Sequence, residues 1–283
     1  MIDTIGIHRG RHSTSVELSK SITKIDYNFD FRGFHGGSKL NPFWLLLKAW
    51  ITSKEIPEAK NYLIEGGMLF WVGFFLKRRY PNCKLFVIVP EPAFYFDARK
   101  SFIQKLFFKF RMAMMKKTVN HFFVISKMVA NDAKKWLGDD ISYSTLRYYI
   151  NRFDRFVYTD NSKKEDNLLF VIERPNDTGY VKGLAQAIKI FEKVQEKMPN
   201  IKLLLAGSGT EYLKYDNKNI IGLGYCDIEE VYAKVKISIL PARYDAFPMT
   251  VPEASLSGVV PIVSNNVGSQ ELLPDELVLD YED

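Results

Sequence analysis

Two carboxylates eight positions apart, Asp245 and Glu253, lie in the stretch YDAFPMTVPEASLSG from Tyr244 to Gly258. Ile237–Leu240 is apolar apart from Ser238 and reads as a buried strand, and the segment from Pro241 to Pro248 cannot be regular helix. Thr250 then stands three residues before Glu253, as a helix N-cap does. A strand therefore delivers Asp245 to a loop, with a helix starting just beyond it. The exposed N–H groups of a first helical turn, with the positive end of the helix dipole, attract phosphate. A carboxylate on each side of such a place suits a ligand that is anionic in the middle and hydroxylated at both ends, as a nucleotide sugar is. The same residues also fit a capping box, Thr250-Val-Pro-Glu253, with Glu253 bonding back to the Thr250 amide and Pro252 near the helix start. On spacing alone the cap is favoured.

The segment resembles the E-x7-E signature of retaining GT-B glycosyltransferases, glycosyltransferase family 4 in particular, where a Glu-x-Phe-Gly loop precedes a Glu-Ala helix. Asp245, Phe247, Glu253 and Ala254 match those positions, and Gly258 with Pro261-Ile-Val continues the pattern. Asp stands in place of the first Glu and Pro248 in place of the Gly. The resemblance implies that Asp245 holds the donor's sugar hydroxyls, that Glu253 holds the ribose, and that Phe247, Pro248, Met249 and Thr250 form the loop against the donor. It also assigns cations. A departing nucleoside diphosphate gathers negative charge that something positive must meet in the transition state. An Arg grips two phosphate oxygens at once and a Lys acts as a mobile point charge. In the family an Arg follows the first strand of the donor domain and a Lys opens the next helix, as Arg174 and the pair Lys182-Gly183 do here; the loop Pro175–Val181 between them is longer than usual. Gly207-Ser-Gly209 is a weak dinucleotide signal because Tyr212 occupies the third glycine position, so a nicotinamide-dependent reductase is disfavoured. The family uses that loop for close approach of the donor to the backbone, which asks for small residues at Gly207 and Gly209. Tyr225, after Gly224, stands where the nucleotide base is held, with a packed aromatic as the alternative reading.

The elements that must position these groups alternate between strand and helix. In the first half Ile2–Ile7, Asn61–Gly67, Lys84–Val89 and His121–Ile125 read as strands. A helix runs through Val16, Leu18 and Ile22, another covers Met68–Arg79, and Ser126 caps a third over Lys127–Leu137. In the second half the strands are Leu168–Ile172, Ile201–Ala206, Ile220–Leu223 and Ile237–Leu240. The helices there are Gly183–Lys197, with Leu184, Ile188, Phe191 and Val194 on one face, and Ile228–Val235. Such alternation implies parallel sheets covered by helices on both faces, with ligands at the carboxyl ends of the strands. The expectation is an α/β fold of GT-B type, two Rossmann-like doubly wound domains facing a cleft. Thr159–Asn167 has no large apolar side chain and reads as an interdomain linker or exposed loop. It sets an acceptor domain at Met1–Asp160 and a nucleotide-sugar donor domain at Asn161–Asp283. The resemblance covers the second half well and the first loosely. FFVISKMVANDAKKWLG looks like the strand, Ser and helix unit before the family's interdomain crossing. VIVPEPAFYF stands where many members carry an acceptor-side histidine, but His8, His12, His35 and His121 all lie elsewhere, so no histidine is assigned. Glu91, just beyond a strand end, is the acceptor-side candidate, against a surface or capping Glu.

The chain has 283 residues, 47% hydrophobic and 14% aromatic, ample for one large or two ordinary domains. Cys83 and Cys226 lie far apart and build neither a disulfide framework nor a metal cluster, so a reducing cytoplasmic setting is the expectation. No signal peptide is expected at Met1–Gly10, and the apolar runs Phe43–Leu47 and Met68–Leu76 fall short of the ~20 residues that span a bilayer. Paired His, Cys clusters and Asp-x-Asp are absent from the sequence, so no metal is expected, and no cofactor beyond the nucleotide sugar as co-substrate. Met1–Asp160 carries 26 Lys and Arg against 14 Asp and Glu, a net +12, and Asn161–Asp283 13 against 19, a net −6. The basic run Arg99–Lys117 has no acid. At helical spacing Lys105, Lys109 and Lys116 share one face, Ile103, Phe107, Phe110 and Met114 form the packed one, and Phe102, Phe108 and Met112 remain outside the packed stripe. This points to docking on an anionic membrane surface where a lipid-linked acceptor would lie. Nucleic acid is excluded as a partner by the want of interleaved base-stacking aromatics on a basic sheet face.

The expectation is a cytoplasmic, metal-independent, retaining glycosyltransferase that docks peripherally on the membrane's inner face, with a glycan or lipid-linked acceptor. The alternatives are a nucleotide-sugar epimerase on the same fold or a non-catalytic nucleotide-sugar-binding homologue. Family members continue beyond the segment matching Glu271–Leu273 with further helices. The expectation is therefore that an apolar face of the second half is covered by a partner subunit or by an element of the first half.

Overall fold

The computed structural model describes residues 2–8, 23, 25–28, 42–89, 94, 101–146 and 153–281. It divides into two compact units, Met1–Tyr149 and Ile150–Asp283. Thr159–Asn167 lies in the second, where the Lys164 ammonium donates to the Ser257 carbonyl at 2.7 Å. The helix expected through Val16, Leu18 and Ile22, and Glu91, Arg99 and Lys100, lie outside the described residues.

The first unit is built on β1 (Ile2–His8), β2 (Ile25–Asn28), β3 (Ala59–Glu65), β4 (Lys84–Val89), β5 (His121–Val124) and β6 (Tyr143–Thr145), with α1 (Pro42–Lys54), α2 (Gly66–Arg79), α3 (Phe102–Thr118) and α4 (Lys127–Leu137). All pairings are parallel and the strand order is β2-β1-β3-β4-β5-β6. Runs such as Leu85-Phe-Val-Ile-Val put apolar side chains on both faces, as interior strands of a parallel sheet do. Ser126 caps α4 as its position indicates, its hydroxyl accepting from the Val129 amide at 3.2 Å. Helix α2 begins two residues earlier than expected, directly at Gly66, whose φ of 79° turns the chain from strand to helix in one residue.

Helix α3 overturns the expected packing. Its buried side chains are Phe108, Arg111, Met112 and Met115, while Phe102, Ile103, Leu106 and Phe110 are exposed, Phe102 to 79%. Phe107 and Phe110 instead stack against Trp71 of α2 at 5.5 Å between ring centroids. Apolar side chains occur on every side of this helix, so periodicity alone does not select the packed stripe.

The second unit comprises β7 (Glu165–Val171), α5 (Pro175–Lys182), α6 (Leu184–Gln195), β8 (Leu203–Ala206), β9 (Ile220–Gly224), α7 (Ile228–Tyr232), β10 (Val235–Leu240), α8 (Thr250–Leu256), β11 (Val260–Ser264) and β12 (Val278–Leu279). The sheet is again wholly parallel, in the order β9-β8-β7-β10-β11-β12. Side chains alternate across β7. Leu168 and Phe170 join the core under α6 with Ala187 and Phe191, and Leu169 joins the opposite core with Val231, Tyr232 and Ala254 of α7 and α8. Burying a side chain such as Phe191 completely contributes about 1.5–3 kcal/mol. Two expectations change here. Pro175–Val181 is a helix rather than a loop, started by Pro175 at its first position. Helix α7 stops at Tyr232, so Val235 opens β10 instead of closing a helix.

Between α6 and β10–β12 lies a groove of about 460 Å³ whose apolar walls include Ile190, Ile239, Ile262 and Leu279. Among the described residues, no helix is long and apolar enough to cross a membrane.

Candidate active site

In the second sheet the connections run one way from β7 to β8 and β9 and the other way from β10 to β11 and β12, so the order reverses between β7 and β10. Ligands of doubly wound sheets bind outside the carboxyl ends of the strands at such a reversal. The loops leaving these two ends hold Arg174 after β7 and Asp245 after β10.

Glycines set how closely the loops approach. Gly183 follows Lys182 at φ 79°, and a Cβ there would fall 1.8 Å from the Pro241 carbonyl oxygen. Backbone therefore lies directly on backbone between the α5–α6 junction and the loop after β10. The Arg243 amide donates to the Val181 carbonyl at 2.8 Å across the same junction. Lys182 is thereby set against the second loop, and its ammonium forms an ion pair with the Asp245 carboxylate. Both partners are substantially withdrawn from water, Asp245 more than Lys182. Asp245 is fixed by its own backbone as well, its amide donating to Asn266 at 3.0 Å and its carbonyl accepting from Gly268 at 2.7 Å.

Arg174 is built differently. It is the described non-glycine residue with a positive φ, 50°, and it caps α5 in the left-handed region. Such a conformation costs an ordinary residue of order 1–3 kcal/mol and concentrates at functional sites. Its amide donates to the Ser208 carbonyl at 2.8 Å, which holds it against the Gly207–Gly209 loop, and its side chain is exposed. Gly207 at φ 128° leaves 2.2 Å between a would-be Cβ and the Ile172 carbonyl oxygen. Gly207 thus allows two backbones to touch, and a Cβ at Gly209 would meet the Pro175 ring at 3.1 Å.

Thr210 was not singled out from the sequence, yet it ties this loop together. Fully buried, its hydroxyl contacts the carbonyls of Leu205 and Gly207 and accepts from the Gly224 amide at 2.9 Å. The signal was a Thr directly after Gly-x-Gly, followed by Gly222, which lies against the Thr210 carbonyl. Asn266 and Gly268 were also passed over, since backbone support of a carboxylate leaves no side-chain pattern.

Glu253 and Tyr225 resolve two alternatives. Thr250 is the first residue of α8 and Met249 precedes it at φ −70° and ψ −23° with no side-chain cap bond, so the capping box is not formed. Glu253 instead lies in the helix interior near Tyr232. Burial, and then the charges of Glu253 and Glu229, push the Tyr232 phenol well above its ordinary pKa. Helix α8 has seven residues, too short to serve as the anion site expected of its first turn. Tyr225 is 85% exposed and is not a packed aromatic. It leaves β9 next to the Gly224 carbonyl that accepts from the Gly207 amide at 2.8 Å. Phe247, Met249 and Thr250 are half-buried and Pro248 is buried in the loop between Asp245 and α8.

The first sheet reverses between β1 and β3. By register His8 follows Ile7 and Glu65 follows Ile64, which are paired, so the two side chains stand on neighbouring strands at the carboxyl edge. Both are buried. The sequence signal for Glu65 was a lone acid ending an apolar strand before Gly-Gly. His121, at the opposite end of its strand, bridges the hydroxyls of Ser142 and Ser144 at 2.7 and 3.0 Å. Among the described residues no group of three or more His, Cys, Asp or Glu is placed to hold a metal ion.

Residues 156–277 match the family described as Glycosyl transferases group 1. A curated relative, an uncharacterized glycosyltransferase of Bacillus subtilis strain 168 named YqgM, is 26% identical over 98 residues. That match covers 31% of this chain and 27% of the relative, so the chain spans about a quarter of the length of the curated protein it matches. Among solved structures, the fold is similar to sucrose-phosphate synthase from Thermosynechococcus elongatus, with TM-score 0.67 and 13% identity over 99% of this chain and 86% of that one. A trehalose-6-phosphate structure from E. coli bound with UDP-2-fluoro glucose gives 0.70 and 11% over 99% and 88%. A UDP-forming trehalose-phosphate synthase from Burkholderia xenovorans gives 0.73 and 10% over 100% and 88%. The expected α/β fold of GT-B type is borne out by these structures.

Proposed function

We propose, from the match of residues 156–277 to the family described as Glycosyl transferases group 1, that the chain moves a sugar from a nucleoside-diphosphate sugar to an acceptor hydroxyl. The observation that carries this reading is the Lys182–Asp245 ion pair at the strand-order reversal of the second sheet, with Arg174 held by its backbone just beyond the neighbouring strand β7. The bond from the anomeric carbon to the diphosphate breaks, a bond to the acceptor oxygen forms, and the acceptor proton passes to the leaving phosphate.

Arg174, exposed and fixed by its backbone, receives phosphate oxygens in a two-pronged grip. Lys182 neutralises the growing charge. Its ion pair with Asp245 holds the ammonium in place beforehand and leaves the second carboxylate oxygen for sugar hydroxyls. Glu253, not engaged in a cap, binds the ribose, and Tyr225 offers its exposed ring to the base. Reaction proceeds with retention and without a metal, as the resemblance in the Asp245–Glu253 segment implies. On the acceptor side, His8 and Glu65 occupy the first sheet's reversal and take the place for which Glu91 was named.

The acceptor in this reading is lipid-linked, a glycan precursor presented at an anionic membrane. Lys105, Lys109, Lys116 and Lys117 of α3 contribute to that attraction at ~1 kcal/mol each near the surface. The test is a turnover assay on a panel of nucleotide sugars with a membrane-lipid extract as acceptor. Product with retained anomeric configuration, lost in Asp245→Asn, supports the reading. Wild-type turnover in Asp245→Asn, or inversion in the product, contradicts it.

A further inference from the structure

Helices α1, α2 and α3, of 13, 14 and 17 residues, carry ten Lys and Arg and not one Asp or Glu. The connections from β2 to β3, β3 to β4 and β4 to β5 all step in the same direction across the first sheet. Right-handed crossovers therefore place the three helices in one layer on the same face. Helix α2 packs against both neighbours, α3 through the stacking of Trp71 on Phe107 and Phe110. The outer side of this layer is apolar where a water-facing layer would be polar. Phe43 and Trp44 on α1 are 66% and 57% exposed, and Trp50 and Ile51 are exposed beside them. On α3 the exposed side chains are Phe102, Ile103, Leu106 and Phe110.

A groove of about 460 Å³ opens between the C-terminal halves of α1 and α2, lined by Trp50, Ser53, Lys54, Phe75, Arg78 and Arg79. That volume lies within the ~300–1,000 Å³ of small-ligand sites. Its floor is aromatic and its rim cationic. The Lys54 ammonium lies 3.5 Å from the Trp50 ring centroid, and Arg79 donates to the Lys54 carbonyl at 3.1 Å, which brings the two cations to the same rim. Tryptophan beside Lys and Arg is the pairing that favours the headgroup level of a bilayer, rings in the interfacial region and cations on phosphate.

We propose that the outer face of the α1–α2–α3 layer docks on an anionic bilayer, and that the groove between α1 and α2 binds the phosphate of one acidic lipid headgroup. The exposed aromatic and aliphatic side chains enter the interface, and Lys54, Arg78 and Arg79 close on the headgroup. The absence of any acid from the three helices removes the repulsion that would otherwise oppose such a surface. This deepens the membrane-bound acceptor described above but stands on α1 and α2. Loss of turnover in Asp245→Asn leaves it intact, and failure of docking leaves donor binding intact.

The experiment is co-sedimentation of the full chain with vesicles of phosphatidylcholine alone and of phosphatidylcholine mixed with phosphatidylglycerol. Binding is expected to the mixed vesicles only and to weaken with salt. The variant K54E/R78E/R79E should weaken it by on the order of 100-fold while the chain stays folded, its unfolding midpoint lowered only by the reversed charges in the last turns of α1 and α2. The same charge change in the second unit, K189E/K193E/K197E, should reduce it by less than a tenth of that factor, which separates a specific face from net charge. Quenching of tryptophan fluorescence by bromine-labelled lipid chains should fall in W44F/W50F. Equal binding to neutral vesicles, no sedimentation, or binding undiminished in K54E/R78E/R79E would overturn the proposal. So would displacement from vesicles by dilute inorganic phosphate, which would make a free anion the occupant. A dimer in light scattering that the same three reversals dissociate would overturn it too, with a second copy on this face.

Discussion

The carboxyl edges of the two sheets are built by different means at equivalent places. In the second unit the carboxyl edge at the reversal is closed by backbone on backbone, through Gly183 against Pro241 and Gly207 against Ile172. In the first unit the corresponding edge carries side chains, His8 beside Glu65. Contacts made by backbone hold charged groups such as Lys182 and Asp245 in one arrangement whatever the ligand. Contacts made by side chains can vary with the acceptor. A donor shared across a family and an acceptor that differs between members would call for this division.

The comparison is broken most sharply at Lys182 and Asp245. Asp245→Asn and Lys182→Met should each lower turnover by on the order of 100-fold with little change in unfolding, since both groups act on charge in the transition state. The double variant should lose no more than the worse single one, because the two form one unit. Additive losses, measured as kcat/KM, would mean that the ion pair is incidental.

Backbone closeness is tested next. Gly183→Ala places a Cβ on the Pro241 carbonyl at a positive φ and should destabilise the chain by about 2 kcal/mol or more. Gly179→Ala, one turn earlier in α5, meets only the Leu184 side chain at 3.4 Å and should be neutral or stabilising by about 0.4–1 kcal/mol. Thermal unfolding of the pair checks it. Equal effects would contradict the role given to Gly183.

At Glu253 the geometry separates function from folding. With no capping box, Glu253→Gln should weaken donor binding by roughly tenfold through a lost charged hydrogen bond while leaving stability within about 0.5 kcal/mol. A smaller effect is expected from Tyr225→Ala, about fivefold in donor affinity with stability unchanged, since the ring is exposed and packs on nothing inside. Calorimetric titration with the nucleoside diphosphate alone reads both.

Most strands were legible in the sequence because buried parallel strands are short, apolar and bounded by turn residues, as Lys84–Val89 and Ile220–Gly224 are, whereas β2, β6, β11 and β12 were not named, three of them being edge strands of two to four residues. Helix α4 was legible from its Ser126 cap. The segment Pro175–Lys182 was not, since Pro, Asn, Asp, Thr and Gly within eight residues carry turn chemistry, and only packing of Pro175 and Gly179 makes it a helix. The packed face of α3 was misread because apolar side chains flank its Lys105, Lys109 and Lys116 face on both sides, so spacing alone left more than one candidate stripe. At the candidate site the charged residues could be named from the resemblance of the Asp245–Glu253 segment and of Arg174 and Lys182 to a family pattern, whereas the backbone partners of Asp245 and the buried hydroxyl of Thr210 leave no such pattern.

The central claim is that the second unit binds a nucleoside-diphosphate sugar through Arg174 and Lys182. It is tested most directly by thermal unfolding of wild type and R174A/K182A against a panel of nucleotide sugars. At 100 times its Kd a ligand adds about 2.7 kcal/mol of stability, so at least one donor should raise the wild-type midpoint, and none should raise that of the double variant. A panel that stabilises neither protein, or both equally, would contradict the account.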